Sequence, residues 1–253
     1  MKAILLCAGY GTRLYPLTIN TPKALLKVQG KTLLELLIDN LEEIKEIDEI
    51  VIVSNDRFYK NFCDFKPHIS SSKKITILND KTTSNENRLG AIGDIKFALN
   101  KIHYNGEIMV LAGDNWFDFT LKELYDFYVK NGKNDVVFGQ NKTDLNVLRA
   151  GGVATLFDNG LVLHMEEKPQ NPQGTFAVGP FYIYNKQTVA MLGQYLAEGG
   201  NPDAPGHFPA WLAERKPVFA YDIAPRHYID IGTKEAYDNI ENTIKNLNKS
   251  LER

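Results

Sequence analysis

The chain begins with MKAILLCAGYGTRL (residues 1–14), a short apolar run that passes directly into a glycine turn, a hydroxyl and an arginine. A run of this length is typical of a buried strand and is far shorter than the roughly 20 residues of a membrane-spanning helix. Glycines at 9 and 11 permit positive φ and remove the Cβ that would keep an anion away from the backbone. The segment therefore predicts a strand followed by a phosphate-binding turn.

Two familiar phosphate-binding motifs do not fit this turn. The dinucleotide pattern GxGxxG matches Gly9 and Gly11 but requires a third glycine where Leu14 stands. The sequence GKT at residues 30–32 matches the end of a P-loop, whose first glycine would fall at Leu25. The turn is therefore either a different kind of phosphate site or a plain strand-to-loop turn with a surface arginine.

Short apolar runs alternate with helical patterns along the first 140 residues. Capping boxes at Thr32–Glu35 and Thr120–Glu123 mark the starts of two helices, because each side chain of such a pair accepts a hydrogen bond from the other residue's backbone N–H. Alternating strands and helices are typical of βαβ units. The sequence therefore predicts an α/β, Rossmann-like three-layer fold with a mostly parallel, mixed central sheet. The predicted strands are 3–7, 50–53, 75–78, 108–112 and 136–138.

The pattern changes after residue 150. Residues 152–157 and 161–165 flank Asp158-Asn159-Gly160, a turn sequence that joins antiparallel strands well. We therefore expect a small antiparallel insertion in the sheet. The other elements predicted here are a strand at 176–184, a helix at 186–196, a loop at 199–206 and a C-terminal helix at 234–251.

Composition excludes several classes of protein. The 253 residues are 43% hydrophobic and 24% charged, which is ordinary for a globular protein. Lys and Arg number 29 against 31 Asp and Glu, so the net charge of -2 provides no polycationic surface, and we expect no nucleic-acid partner. Cys7 and Cys63 have neither CxxC nor zinc-ligand spacing. We expect reduced thiols, a cytoplasmic location and no membrane association.

Charged residues follow several of the predicted elements. They are Pro22-Lys23, Gly113-Asp114, Glu167-Lys168-Pro169 and Asp230-Ile231-Gly232. Ligands of open α/β sheets bind outside the carboxyl ends of the strands, so Asp114 stands where a functional carboxylate is expected. One or two carboxylates with phosphate oxygens make an ordinary Mg²⁺ site. Taken alone, Asp230 fits a turn or a helix cap, and Glu167-Lys168 fits a solvated charge pair.

Five motifs in a fixed order, GxGTR, PK, GD, EKP and DIG, resemble the nucleotidyltransferases that make sugar nucleotides, a family with related cytidylyltransferases of the phosphocholine type. The resemblance covers residues 1 to about 237. It implies one domain over residues 1–253, in which residues 1–140 mainly bind the nucleotide, residues 141–232 mainly bind the acceptor and residues 233–253 form the C-terminal helix. Family members often form dimers or tetramers, but no surface pattern here argues for a homo-oligomer.

The resemblance also implies a role for each motif residue. Arg13, Lys23 and Asp114 are the expected catalytic residues, and Asp114 and Asp230 are the expected ligands of Mg²⁺. The expected acceptor-binding residues are Gly152, Glu167, Lys168 and Gly179. The expected nucleotide-binding residues are Leu6, Ala8, Gly9, Gly11, Thr12, Arg13, Lys23, Asn79, Asn85, Gly90 and Asp114.

The implied reaction joins a pyrimidine nucleoside monophosphate, from UTP, dTTP or CTP, to a sugar 1-phosphate and releases pyrophosphate. The segment 78–90 departs from the family, because many relatives have a glutamine and a proline-glycine turn there. Asn79 and Asn85 each carry donors and acceptors for a pyrimidine, whereas an ionised Asp80 only accepts and would suit the amino group of cytosine. The base therefore stays open, and a mobile surface loop is the other interpretation of this segment.

Two further functions stay open at this point. A CTP-dependent cytidylyltransferase that acts on a non-sugar phosphate such as phosphocholine is similar in the first loop. A non-catalytic protein that binds a nucleotide sugar is the alternative outside enzymes, although such a protein would be expected to lose a charged motif residue. The chain has no hexapeptide repeat of the kind found in relatives that also acetylate their product, so we expect a single activity.

Overall fold

A nine-stranded mixed sheet dominates the computed structural model, which describes residues 1–251 and their side chains as far as residue 247. The strands are β1 (Lys2–Leu6), β2 (Lys27–Val28), β3 (Lys31–Thr32), β4 (Glu49–Ser54), β5 (Lys74–Asn79), β6 (Ile108–Ala112), β7 (Asn115–Phe117), β8 (Asp135–Asn141), β9 (Gly152–Leu156), β10 (Val162–Glu167), β11 (Phe176–Tyr184), β12 (Val218–Asp222) and β13 (Tyr228–Asp230). The helices are α1 (Leu33–Glu42), α2 (Asp56–Phe65), α3 (Ala91–Lys101), α4 (Leu121–Lys130), α5 (Leu145–Ala150), α6 (Lys186–Ala197), α7 (His207–Ala213) and α8 (Lys234–Leu251).

The sheet has a parallel half and an antiparallel half. Strand β1 pairs in parallel with β4 and β6, and β5 extends this half beyond β4. Strand β11 runs antiparallel to β6 on one side and to β8 on the other, and β12 pairs in parallel with β8. The hairpin of β9 and β10 pairs with the first residues of β11. The predicted mostly parallel sheet and its antiparallel insertion are thus confirmed.

Side chains of the central strands alternate between two hydrophobic cores, one on each face. In β1, Ala3 and Leu5 belong to the core that α1, α2 and α4 cover, while Ile4 belongs to the core that α3, α6 and α7 cover. Each fully buried large apolar side chain contributes roughly 1.5–3 kcal/mol relative to exposure. Burial on both faces explains why these strands read as continuous apolar runs, and it produces the predicted three layers.

The capping boxes in the sequence predict two helix starts correctly. The hydroxyls of Thr32 and Thr120 accept hydrogen bonds from the backbone N–H groups of Glu35 and Glu123, and both capping boxes are complete. The helices begin at the next residue in each case, as predicted. Strand β8 is longer than the predicted 136–138, and the strands β2, β3, β7, β12 and β13 were not predicted from the sequence. The last two residues of the predicted C-terminal region lie outside the described residues.

The fold brings distant motifs to one edge of the sheet. Leu6 pairs with Ala112, so the turn after β1 and the Gly113-Asp114 segment leave the sheet side by side. Strand β13 pairs with β7 in a separate two-stranded ribbon, which places Asp230 opposite Asn115. Helix α8 packs through Ile240 and Ile244 in the same small core as Leu14, Trp116 and Ile231, so it supports both the turn and the ribbon. Within residues 1–251, no helix has the length and apolar character needed to cross a membrane.

Candidate active site

Two adjoining cavities lie outside the carboxyl ends of the central strands. The first has a volume of about 380 Å³ and surrounds the turn after β1, and the second, of about 520 Å³, lies against β11 and the hairpin. Asp114 and Lys168 line both cavities, so the two meet at these side chains. The other residues that line the first cavity are Leu6, Ala8, Gly9, Tyr10, Gly11, Thr12, Arg13, Lys23, Asn85, Arg88, Gly90, Ala91, Asp94 and Asp203.

The turn after β1 has a backbone shape that requires glycine at one position. Gly11 has φ of +64°, in the left-handed region, and a Cβ there would lie 3.2 Å from the side chains of Lys23 and Thr18. The Thr18 hydroxyl donates a hydrogen bond of 2.7 Å to the Gly11 carbonyl oxygen, which fixes the loop. Thr12 and Arg13 follow in a short 3₁₀ helix and are exposed at the cavity. A hydroxyl and a guanidinium are thus presented to any anion in the first cavity.

Lys23 and Asp114 form an ion pair between the two cavities. The Nζ atom of Lys23 donates to Oδ2 of Asp114 at 2.9 Å, and Nδ2 of Asn115 donates to Oδ1 of Asp114 at 3.1 Å. Pro22, with φ of -65°, precedes the 3₁₀ helix that carries Lys23, so a fixed backbone torsion leads into it. Both charged side chains remain partly exposed, at 17% and 27%. The pair holds a cation and a carboxylate at the junction of the cavities.

Asp230 faces the same junction from the β7 and β13 ribbon. The N–H of Ile231 donates to the Asp114 carbonyl oxygen at 3.1 Å, which ties the two segments together. Although the Asp230 side chain reaches solvent in the cleft, desolvation and the nearby Asp114 charge raise its pKa to about 6, against the opposing charges of Lys23 and Arg13. Two carboxylates therefore repel each other here, and a bound cation would relieve the repulsion.

The donor set at this junction fits Mg²⁺. Among the described residues, Asp230 has no hydrogen-bond or ion-pair partner for its side chain, and no group of three or more acidic, His or Cys side chains is arranged to hold a metal ion. Mg²⁺ ordinarily binds through one or two carboxylates and completes its shell with water and substrate phosphate oxygens. Asp114 and Asp230 would supply these carboxylates, whereas a metal that needs a complete cage of protein ligands would not fit.

Glu167 ends β10 and lines the second cavity, and Lys168 follows it and lines both cavities. Burial raises the pKa of Glu167 to about 6, and the Lys168 charge opposes that shift. Gly206 leaves room for the Glu167 carboxylate, since a Cβ there would lie 1.9 Å from its Oε2, whereas a Cβ on Gly152 would lie 3.4 Å from the same atom, an ordinary contact distance. Lys168 has φ of +50°, in the left-handed region, and its N–H donates to the Gly151 carbonyl oxygen at 2.9 Å.

Most of the residues that the sequence predicted for the site line one of the cavities, and two do not. All predicted nucleotide-binding residues except Asn79 line the first cavity, and Gly152, Glu167 and Lys168 line the second. Asn79 lies outside, where its Nδ2 donates to Asp56 at 2.7 Å. Gly179 also lies outside, because a Cβ there would lie 2.0 Å from the ring of Phe138 in the core. Asn79 therefore ends β5 beside the start of α2, and Gly179 lies within β11 against the core.

Several cavity residues were missed in the sequence. In the first cavity they are Tyr10, Arg88, Ala91, Asp94 and Asp203, of which Arg88 and Asp203 form an ion pair of 2.7 Å across 115 positions of sequence. In the second they include Lys142, Val147, Pro180, Tyr182, Pro205 and Tyr228. One local signal was available, because Asp94 interrupts the apolar face of α3 next to Ile95. The others depend on contacts between distant segments.

Comparisons with known proteins agree with this geometry. The chain is 29% identical to the bifunctional protein GlmU of Methanocaldococcus jannaschii over 196 residues, which cover 76% of this chain and 42% of that protein. It is 25% identical to glucose-1-phosphate adenylyltransferase of Acetivibrio thermocellus over a gapped alignment of 258 positions, which covers 93% of this chain and 58% of that one. The chain thus spans about half the length of the curated relatives it matches.

A solved structure shows the same fold along the whole chain. The crystal structure of a UDP-glucose pyrophosphorylase complexed with UDP-glucose superposes with a TM-score of 0.77 and 21% identity, covering 97% of this chain and 98% of that one. A family model described as nucleotidyl transferase matches residues 2–246, which include every element of the two cavities. The chain therefore belongs to the nucleotidyl transferase family.

Proposed function

We propose that this protein transfers a nucleoside monophosphate from a nucleoside triphosphate to a phosphorylated small molecule, specifically a sugar 1-phosphate, and releases pyrophosphate. The observation that carries the proposal is the pair of cavities that meet at Asp114 and Lys168. One cavity would hold the triphosphate and the other the acceptor, so that the two phosphates meet at the junction. The family and its named relatives support the same reaction class.

The charges suit a reaction between two polyanions. The first cavity presents Arg13 and Lys23, and Lys168 stands between the cavities. Cations at these positions would lower the repulsion between the triphosphate and the acceptor phosphate and would align them. This need for charge and alignment is the main demand of phosphoryl and nucleotidyl transfer.

The bond changes are those of an in-line displacement. An oxygen of the acceptor phosphate forms a bond to the α-phosphorus while the bond from that phosphorus to the bridging oxygen of pyrophosphate breaks. The attacking oxygen is already anionic, so no residue needs to remove a proton. Lys168 would orient the acceptor phosphate, and Arg13 and Lys23 would stabilise the charge on the departing pyrophosphate.

Mg²⁺ is part of the proposal. Asp114 and Asp230 would hold the ion, which supplies positive charge between the phosphates when bound. The absence of a side-chain partner for Asp230 among the described residues supports this role.

We propose a pyrimidine triphosphate as the nucleotide, following the asparagine-rich segment before α3. Asn85 lines the first cavity, whereas Asn79 does not, so Asn85 is the side chain that supports this choice. The named relatives include an adenylyltransferase and a UDP-glucose enzyme. Both purine and pyrimidine triphosphates therefore belong in the assay.

Phosphocholine is a second candidate acceptor, because the second cavity has an aromatic and acidic lining. Tyr182, Tyr228 and Glu167 line it near Lys168. Aromatic faces and a carboxylate suit a quaternary ammonium group, and the lysine suits its phosphate. The sugar phosphate remains the first candidate, since Glu167 also suits hydroxyl donors.

The test is pyrophosphate release with Mg²⁺, using CTP, UTP, dTTP, ATP and GTP, each against a panel of sugar 1-phosphates and phosphocholine. Release with one pyrimidine triphosphate and one sugar 1-phosphate is the expected result. Release only with CTP and phosphocholine would replace the sugar proposal with the second candidate. Triphosphate binding by calorimetry with no release from any pair would contradict an enzyme and favour a nucleotide-binding protein.

A further inference from the structure

The loop at residues 201–206 contributes to both cavities. Asp203 lines the first cavity, whereas Pro205, two positions later, lines the second. The next residue, Gly206, lies against the Glu167 carboxylate, which a Cβ at this position would overlap. Asp203 therefore lies on the side of the first cavity that is nearest to the acceptor cavity.

Backbone contacts fix this loop to the start of α3. The N–H of Ala91 donates to the Asp203 carbonyl oxygen at 2.9 Å. The N–H of Ile92 donates to the Pro202 carbonyl oxygen, also at 2.9 Å. Gly90, with φ of +78°, permits the approach, because a Cβ there would overlap the Pro202 carbonyl oxygen. The first N–H groups of a helix often bind phosphate, but the loop already occupies two of them here.

Hydrogen bonds also fix the Asp203 side chain, and they leave one of its oxygens free. The Nε of Arg88 donates to Oδ1 of Asp203 at 2.7 Å, and the Nη1 of Arg88 donates to the Asn85 carbonyl oxygen at 2.7 Å. The N–H of Asp203 donates to Oδ1 of Asn201 at 2.9 Å. Oδ2 of Asp203 has no hydrogen-bond partner in the described part of the chain, and the side chain is 48% exposed. A ligand in the first cavity can therefore reach this oxygen.

The charges of the first cavity indicate where a triphosphate would lie. Its cations are Arg13, Lys23, Arg88 and Lys168, and its acids are Asp94, Asp114 and Asp203. Arg88 pairs with Asp203, and two of its nitrogens are already engaged. Arg13, beside the glycine turn, has no ion-pair partner among the side chains that the structure describes. Asp94 and Asp203, both at the start of α3, would repel a phosphate there. The triphosphate therefore belongs beside Arg13, and an uncharged part of the nucleotide belongs beside Asp203.

The ribose is the uncharged part that fits this position. In nucleotidyl transfer the α-phosphate lies where the two substrates meet, and the ribose is joined directly to it. The ribose would therefore lie on the acceptor side of the first cavity, which is the side of Asp203. Ribose hydroxyls donate hydrogen bonds, and an ionised carboxylate oxygen only accepts them. An acidic residue binds a ribose hydroxyl in the same manner in dinucleotide-binding folds.

We propose that Asp203 selects ribonucleotides: its Oδ2 accepts a hydrogen bond from a hydroxyl of the ribose. The inference rests on the proposed use of the first cavity by a nucleoside triphosphate, and it identifies the residue that recognises the sugar of that nucleotide. A site that is built to hydrogen-bond a hydroxyl discriminates against the analogue that lacks it. The 2′- and 3′-hydroxyls offer the same donor chemistry, and the experiment separates them.

The experiment measures dissociation constants by calorimetry with Mg²⁺ and no acceptor. The ligands are UTP, CTP, ATP and GTP with their 2′-deoxy and 3′-deoxy forms. The best ribonucleotide should bind about tenfold tighter, or more, than at least one of its deoxy forms, and Asp203→Ala should reduce that ratio to about one. Asp203→Asn should do the same, because the bond from Arg88 holds its single oxygen and leaves an amide N–H towards the ligand. Thermal unfolding checks that both variants are folded.

Glu86→Gln is the matched control, because Glu86 is an exposed acid two positions from Arg88 that does not line the first cavity. This variant should keep the ratio of the original protein. Loss of the ratio for one deoxy form alone assigns the bond to that hydroxyl. A ratio near one in the original protein would overturn the inference, as would an unchanged ratio in both Asp203 variants. Ratios that change as expected, without pyrophosphate release from any acceptor, would contradict the proposed reaction alone.

Discussion

The two cavities share a wall but are built in different ways. Seven of the sixteen residues that line the first cavity come from one stretch, residues 6–13, and the others come from Lys23, from residues 85–94 and from Asp114, Lys168 and Asp203. The second is assembled from β11, from the hairpin and from single residues such as Pro205 and Tyr228. A local backbone motif therefore forms one side of the first cavity, whereas strands that pair across long sequence distances form much of the second. A substitution at a residue that lines only one cavity should therefore affect the ligand of that cavity alone, whereas Asp114 and Lys168 line both.

Charge separates the cavities as well. The first presents Arg13 and Lys23 at one end, whereas the second contains Glu167 and Asp230, whose pKa values are both raised to about 6. A cationic end suits a triphosphate, and a carboxylate near its pKa suits the hydroxyl groups of a sugar. The following predictions test this division.

Asp114→Asn should have the largest effect, because Asp114 lines both cavities. The variant keeps the shape of the side chain but loses the charge that would hold Mg²⁺ and that pairs with Lys23. We expect a loss of about a thousandfold in kcat/KM, comparable with removal of a strong electrostatic group elsewhere. Pyrophosphate release measures it, and thermal unfolding checks that the fold is intact. Asp126→Asn, on the exposed face of α4, is the matched control. Unchanged activity would mean that the metal ligands are misplaced.

Lys168→Met should weaken acceptor use more than triphosphate binding. The substitution removes the charge at the junction while it keeps much of the length of the side chain. We expect the acceptor KM to rise by about a hundredfold, whereas the triphosphate dissociation constant changes by less than about tenfold. Lys186→Met, an exposed lysine at the start of α6, is the control. Equal losses for both substrates would argue against a division between the cavities.

Glu167→Gln should change the pH dependence of stability. Burial raises the folded-state pKa of Glu167 from 4.5 to about 6, so its contribution to stability is fully present below pH 4.5 and is lost as the pH rises through 6. The glutamine variant lacks that loss and should be more stable than the original protein by about 2 kcal/mol at pH 8. Thermal unfolding between pH 4 and 8 measures the difference. The same shift in Glu166→Gln, at the adjacent position of β10, would refute the assignment to Glu167.

Gly206→Ala should have the smallest effect and should be confined to the second cavity. The added Cβ would lie 1.9 Å from Oε2 of Glu167, so the carboxylate must move. We expect acceptor affinity to fall by about tenfold, with triphosphate affinity unchanged. Gly193→Ala is the control, because the nearest atom to its Cβ would be the flexible end of Lys96, at 3.6 Å. A fall in triphosphate affinity alone would show that the cavities are not independent.

Local signals explain what could be predicted of the fold. The capping boxes at Thr32 and Thr120 mark helix starts because the hydrogen bonds involved span three residues. The turn at 158–160 joins β9 and β10 for a similar reason. Strand β12 and the ribbon of β7 and β13 were missed, since they are short and depend on partners more than 70 positions away.

The candidate site likewise contains residues that the sequence identifies and contacts that only the fold creates. The motifs that line the cavities could be found in the sequence because each is a short stretch with a distinctive chemistry. Asn79 and Gly179 have residue types that also fit a binding site. In the fold, however, the Asn79 side chain donates to Asp56, and the Gly179 backbone packs against the ring of Phe138. Sequence reasoning had no means to see either contact.

The sequence by itself determined the strands of the parallel half, the capped helix starts, the glycine turn and the set of charged motifs, because these follow from local backbone preferences and from residue chemistry. Only the tertiary structure decided which charges meet. Desolvation and electrostatic coupling depend on neighbours from distant segments. They raise the pKa of Asp94 beside Asp80 and the pKa of Asp230 beside Asp114. Short sequence motifs therefore supply the residues of the binding surfaces, while the tertiary structure determines the electrostatic properties of those residues.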